Sequence, residues 1–199
     1  MIMPLKSLEK LLEEVAAFHG EDCPGQTLGT RMALAGLAQI GIDDPQAPEN
    51  RKKIIVYVEC DRCMSDAIMA VTGCRVGKRS IKIMDYGIVA ATFVNLETGR
   101  AVRVIAREES RALADNYAPP EIENKYERQR LAYRVMPEAE LFDFEPVVVA
   151  IPDQDMPGRL SRRVQCDECG NWVQDHRDLE RDGKTLCIPC AEGAYFERL

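Results

Sequence analysis

The sequence predicts an α+β protein: a mixed helix-and-sheet N-terminal domain followed by a small four-cysteine zinc ribbon of treble-clef-like type. Three observations carry this. Apolar residues recur at helical spacing through residues 7–41. Short β-branched runs bounded by turn residues then alternate with helical stretches up to residue 152. Finally, two Cys-x2-Cys pairs, Cys166/Cys169 and Cys187/Cys190, stand 17 residues apart near the C-terminus.

The first stretch, SLEKLLEEVAAF, places Leu8, Leu11, Leu12, Val15 and Phe18 on one helical side, with Ser7 as N-cap. QTLGTRMALAGLAQIG forms a second helix through Leu28, Met32, Ala35 and Leu37 to Ile40, ended by Gly41. KKIIVYVE reads as a strand and SDAIMAVTG as a short helix closing at Gly73. YGIVAATFVNLETGRAVRVIAR is strand, turn and returning strand. EESRALADNYA and EIENKYERQRLAYRVM are helical, separated by Pro119-Pro120. EPVVVAIP is the last strand of this domain. PDQDMPGR, rich in Pro, Gly and Asp, then marks the boundary between a domain at 1–157 and a ribbon at 161–199. A segment as short as the second needs a metal or disulfides to hold it.

Composition narrows the function classes. A net charge of −7 argues against binding of nucleic acid by the chain as a whole. No apolar run is long enough to span a bilayer, and the acidic N-terminal stretch does not read as a secretory signal. The expected location is cytoplasmic, with no membrane partner. In a reducing compartment the eight cysteines are better read as metal ligands or reactive thiols than as a disulfide framework.

The C-terminal pairs carry the most specific signal. Each Cys-x2-Cys folds as a tight knuckle presenting two thiolates to one side, and two knuckles close a tetrahedron around zinc. Zinc binding contributes roughly 10–16 kcal/mol in small finger peptides, far more than so short a core supplies. Between the knuckles, Trp172 and Val173 offer packing and Asp182-Gly183 a hairpin turn, and a short helix is expected to start at the second knuckle. His176 is read as a surface residue, because four cysteines already fill the tetrahedron.

The other cysteines are Cys23, Cys60, Cys63 and Cys74, and one of only two histidines, His19, lies four residues before Cys23. Cys23 and Cys63 fall at expected helix starts, where exposed N–H groups lower a thiol pKa. One imidazole with two or three such thiols suits zinc, copper or iron, and three protein ligands leave a position open for chemistry. The alternative is a set of buried, inert cysteines. TGCRVGKRS does not satisfy a phosphate loop: it has three residues where four are required and Arg79 where Ser or Thr should follow the lysine.

FHGEDCPGQTLGTRMA, VECDRCMSDAIMAVTGCRVGKRSI and DYGIVAATF together resemble the family of the formylmethanofuran dehydrogenase E subunit, over most of residues 12–105. The resemblance implies an α+β core with a C-terminal zinc-binding extension. It implies a site in which His19, Cys23 and Cys63 converge on a second metal ion, zinc by ligand type, and act as the catalytic or carrier groups. It further implies Asp66 orienting the histidine or a bound water, and Cys74 and Lys78 near the same cofactor. Cys60 has no counterpart in the family pattern, where Thr is usual.

The function this implies is a metal-binding accessory protein or subunit of a molybdenum or tungsten oxidoreductase system, with structural zinc in the ribbon. The large pterin cofactor of such systems has no binding motif here. Two alternatives are a free-standing metal-dependent enzyme and a regulatory module whose finger binds protein or nucleic acid. A homodimer, paired through the helices around 121–136, is the expected assembly.

Overall fold

The structure, a computed structural model, describes residues 6–159 and 162–197. Ser161, the expected first residue of the ribbon, lies outside the described residues, as do residues 1–5, 160 and 198–199. The chain divides into two compact units, 1–150 and 151–199.

The first unit opens with two helices, α1 (Leu8–His19) and α2 (Pro24–Ile40). Ser7 caps α1, its hydroxyl accepting from the Lys10 N–H, and Leu11, Leu12 and Val15 are buried. Phe18, expected in the core, is instead half exposed, and the Arg75 guanidinium lies 4.9 Å over its ring. Helix α1 closes at Gly20 and α2 at Gly41, both in the left-handed region that only glycine adopts freely.

A five-stranded sheet follows, in the order β2-β1-β3-β4-β5. Its strands are β1 (Ile54–Val58), β2 (Ile81–Ile83), β3 (Ala90–Asn95), β4 (Ala101–Ala106) and β5 (Phe142–Pro146). β1 and β2 are parallel and joined by α3 (Cys63–Thr72); every other neighbour is antiparallel. Every residue of β3 is buried, so the centre of the sheet is covered on both faces. Helix α2 crosses β3 closely: a Cβ on Gly36 would meet the Phe93 ring at 2.3 Å.

The hairpin β3–β4 turns at the expected Glu-Thr-Gly, with Gly99 at φ 73°. The stretch after it is less helical than its composition suggests. It contains only the single turn α4 (Ser110–Leu113), a 3-10 turn, then α5 (Lys125–Val135) and the short α6 (Glu138–Leu141). Helix α5 starts at Lys125, where Asn124 caps it by accepting from the Tyr126 and Glu127 N–H groups. Glu121 to Glu123 lie outside the helix.

The last strand also differs from the sequence reading. The β-branched run Val147–Val149 does not pair as a strand, and Val148 is 98% exposed. The strand is the preceding FDFEP, because Phe142 and Phe144 alternate with charged residues and pair with Ala106 and Val104 of β4.

Glu59, 5% exposed, directly follows β1 and receives a two-point contact from Arg103: Nε to Oε1 at 2.7 Å and Nη2 to Oε2 at 2.8 Å. Arg103 also reaches Glu145 at 2.9 Å.

The second unit consists of two hairpins and a helix: β6 (Arg163–Gln165) with β7 (Trp172–Gln174), β8 (Asp178–Arg181) with β9 (Lys184–Cys187), and α7 (Ile188–Glu192). The β8–β9 turn is Asp182-Gly183, both at positive φ, as a two-residue hairpin requires. Knuckle, hairpin and helix follow in treble-clef order. The core is minimal, Val173 and Leu186 beside the cysteines. Trp172, expected to pack inside, is 55% exposed and lies under the Arg163 guanidinium at 4.7 Å.

Candidate metal centres

In the ribbon, Cys166 and Cys169 sit on the knuckle between β6 and β7, and Cys187 and Cys190 on the turn into α7. Their sulfurs all lie within 4.8 Å of one another. Cys169 Sγ and Cys187 Sγ are 3.7 Å apart. A zinc tetrahedron with Zn–S of about 2.3 Å has edges of about 3.8 Å, whereas a disulfide requires about 2.05 Å. The four sulfurs therefore fit one zinc ion. Backbone N–H groups of Cys169 and Cys187 point at Cys166 and bring its thiol down to about 6, whereas the crowding of the sulfurs pushes the Cys190 thiol up; a bound cation would offset that repulsion and take all four as thiolates. His176 is exposed and stands outside this group.

The N-terminal constellation is assembled by three element ends. His19 is the last residue of α1, Cys23 is the N-cap of α2, and Cys63 is the first residue of α3. Their ligand atoms also lie within 4.8 Å of one another, and all three residues are half-buried. Asp66, one turn into α3, holds His19 Nδ1 at 2.7 Å. That contact fixes the ring and leaves Nε2 as the nitrogen free to bind an ion, the usual carboxylate–histidine–metal pattern.

Glycine makes the approach possible. A Cβ on Gly29 would lie 2.8 Å from both the Cα and the carbonyl oxygen of Met64, so α2 and α3 touch backbone to backbone. One turn earlier, a Cβ on Gly25 would lie 3.2 Å from Cys63 Cβ and 3.9 Å from the sulfurs of Cys23 and Cys63. The bare backbone at Gly25 thus forms one wall of the space between the thiols. Borderline-soft sulfur and imidazole donors around a space left clear by glycine fit a zinc-like ion with one position open.

The loop that carries Cys23 is tied down from afar. Arg130 of α5 pairs with Asp22 Oδ2, and Arg134 reaches the same oxygen at 3.4 Å. Arg31 of α2 in turn donates to the carbonyls of Tyr133, Arg134 and Met136, at 2.8, 3.1 and 3.0 Å, which anchors the end of α5 on α2. These partners lie more than 100 residues apart in sequence, and nothing local announces them. The Gly25–Gly29 spacing is the one available signal, since small residues four apart let two helices approach.

Three sequence expectations are corrected here. Burial pushes the Cys23 thiol up, and the Gln26 N–H offsets this only in part; desolvation outweighs the helix start. Cys74, implied as a nearby ligand, lies beyond the opposite end of α3, a helix about 15 Å long. It is 4% exposed, with its sulfur 4.0 Å from the Ile54 carbonyl and its thiol pushed up by burial. Lys78 is at that far end too. It borders a cavity of about 220 Å³ with Cys74, Thr72, Arg51 and Gln46, apart from the His19 centre. Cys60 is packed in the core, 3% exposed, and takes no part in either cluster.

Residues 18–143 match the family described as FmdE, Molybdenum formylmethanofuran dehydrogenase operon. The chain belongs to the FmdE family. Residues 158–196 match the prokaryotic dksA/traR C4-type zinc finger, so an FmdE domain is followed by a C4 finger. The crystal structure of a protein from Syntrophus aciditrophicus, described as similar to the E subunit (FmdE) of a tungsten formylmethanofuran dehydrogenase, has a similar fold. The TM-score is 0.62 at 19% identity, over 96% of each chain. A protein of Archaeoglobus fulgidus described as a probable S-adenosyl-L-methionine-binding protein is 28% identical over 211 residues. That alignment takes in 97% of this chain but only 55% of the relative's length. Among the described residues, no helix is long and apolar enough to cross a membrane.

Proposed function

We propose that this FmdE-family protein is an accessory metal-binding protein or subunit of a molybdenum or tungsten oxidoreductase system. In this reading the FmdE domain holds one exchangeable, zinc-like ion through His19, Cys23 and Cys63, and the C4 finger holds a structural zinc. The observation that carries it is the convergence of three ligand atoms within 4.8 Å, with Asp66 fixing the imidazole at 2.7 Å. An ion there would supply Lewis-acid or thiolate chemistry at its open position. The chain's own residues do the rest. Asp66 keeps the Nδ1 proton of His19 in place, Gly25 keeps the space between the sulfurs clear, and Arg130 with Arg134 hold the Asp22 loop.

Metal content per chain tests this reading. The protein as purified in zinc is expected to carry two ions, the Cys23→Ser and Cys63→Ser variants one, and all three to keep the finger zinc. One ion in every form would overturn it. The accessory role is tested by co-purification of the tagged chain with molybdenum- or tungsten-containing subunits from a host that makes them.

A second reading, a free-standing metal-dependent enzyme, is favoured by the half-buried, open character of the His19 centre. It predicts turnover by the isolated chain that Cys63→Ser abolishes. Dimerisation through the exposed side of α5, where Tyr126 and Val135 are 60% and 66% exposed, remains our proposal for the assembly; light scattering of the full chain at twice the monomer mass tests it.

A further inference from the structure

Among the described residues, six buried side-chain polar atoms have no hydrogen-bond partner. Five of them belong to Gln26 (both amide atoms), Thr27, Thr30 and Arg134. Gln26 is 1% exposed and the two threonines 0%. Buried polar atoms are almost always paired, so such a concentration in one place marks a site with a job.

The place is specific. Gln26 and Thr30, four apart, lie one above the other on the first two turns of α2, the helix capped by Cys23, and Thr27 neighbours Thr30 at a spacing of three. Side chains in a helix lean toward its N-terminus, so the Gln26 amide reaches back toward the Cys23 end. The backbone N–H of Gln26 donates to the Cys23 carbonyl at 3.1 Å, which ties the residue to the N-cap of the helix. Arg134, from α5, is the residue whose guanidinium also touches Asp22, next to Cys23. An apolar side chain of Gln26's size would serve the core better at a position so buried.

The unpaired atoms are mostly donors. Gln26 Nε2, the two threonine hydroxyls and Arg134 Nε–H can all donate, and only Gln26 Oε1 is restricted to accepting. Such a wall suits a ligand rich in acceptors.

We infer that Gln26, supported by Thr30, hydrogen-bonds a small carboxylate or oxyanion that occupies the open position of the ion held by His19, Cys23 and Cys63. This rests on the reading of that centre as a metal site. Gln26 sets which small anion is accepted, and the ion itself stays with the imidazole and the two thiolates.

The test uses the full chain with zinc kept in the finger and Co(II) loaded at the N-terminal centre, against Cys63→Ser as the blank. Acetate is the probe, read by the visible Co(II) absorption. Gln26→Leu is expected to weaken acetate binding at least about tenfold, the loss of a hydrogen bond to a charged acceptor. Its Co(II) affinity should stay within about twofold, and its melting temperature should rise as an unpaired buried amide is removed. Thr30→Val should weaken acetate by a smaller factor. Should either variant misfold, the other carries the test. Equal acetate affinity in wild type and Gln26→Leu, or no acetate response in the wild type, would overturn the inference and leave the wall holding ordinary buried water only. If Co(II) fails to occupy the centre at all, the metal reading itself falls, and the inference with it.

Discussion

Replacing Gly29 by alanine is the sharpest mechanical perturbation of the centre, because the consequence can be worked from distances. The added Cβ would stand 2.8 Å from Met64 Cα and O and 2.9 Å from Ala67 Cβ. Ordinary carbon contacts lie at about 3.5–4.0 Å, so α2 and α3 must part by roughly 0.7 Å at the crossing. Two of the three blocking atoms are backbone, so no rotamer change relieves them. Overpacking of this kind costs about 1–3 kcal/mol, and the upper end applies. Alanine returns about 1 kcal/mol of helix propensity, leaving a net loss of about 2 kcal/mol. The same movement separates Cys23, at the start of α2, from Cys63, at the start of α3. Metal sites tolerate displacements of only about 0.5 Å, so Zn(II) affinity at the N-terminal centre should fall at least about tenfold, with the finger zinc untouched. Urea titration gives the first number and chelator competition the second. A variant of equal or greater stability with unchanged Zn(II) affinity would show that the two helices do not meet as described.

Other predictions concern separate parts of the molecule. Asp66→Asn removes the charge that orients His19 and should lower Zn(II) affinity at the N-terminal centre by about 10–100-fold, measured by chelator competition, with little change in urea stability. Arg103→Ala strands the 5%-exposed Glu59 without its two-point partner and should cost about 3 kcal/mol in the same denaturation assay. Cys187→Ser should abolish hydrogen-exchange protection across residues 163–192 while leaving residues 6–150 protected, because the finger core otherwise rests on Val173 and Leu186. Burial raises the Tyr133 phenol above its ordinary 10.0. Its contribution to stability is therefore complete below pH 10.0 and is lost as pH rises through the higher folded value. Tyr133→Phe should flatten the alkaline fall in stability seen by urea titration above that pH.

Local signals carry much of the fold. Ser7, Gly41 and Gly73 end their helices as their types require, and Asp182-Gly183 makes its turn. These features depend on neighbours within a few residues. β2 leaves no pattern because three residues are too few to show a period, and its partner β1 is reached only through the intervening helix. Composition places the final strand on Val147–Val149, but β-branched content is a weaker guide than alternation; Phe142 and Phe144 bury one side of FDFEP, and Val148 buries none. At the N-terminal centre, His19, Cys23 and Cys63 are visible in the sequence as chemistry-bearing residues at element ends, and the fold brings them together. The Asp22 clamp from α5 and the unpaired Gln26 amide are properties of tertiary packing, with no trace in local pattern. Cys74 and Lys78 share a motif close in sequence to Cys63, yet a ten-residue helix carries them to its other end.

Anomalous diffraction at the zinc edge, from crystals of the full chain grown in zinc, counts the ions in each chain and places each one among its ligands. Two peaks per chain are predicted, one within the four sulfurs of the finger and one bonded to His19 Nε2, Cys23 Sγ and Cys63 Sγ. A lone peak at the finger, with those three N-terminal atoms turned away from one another, would contradict a metal centre there.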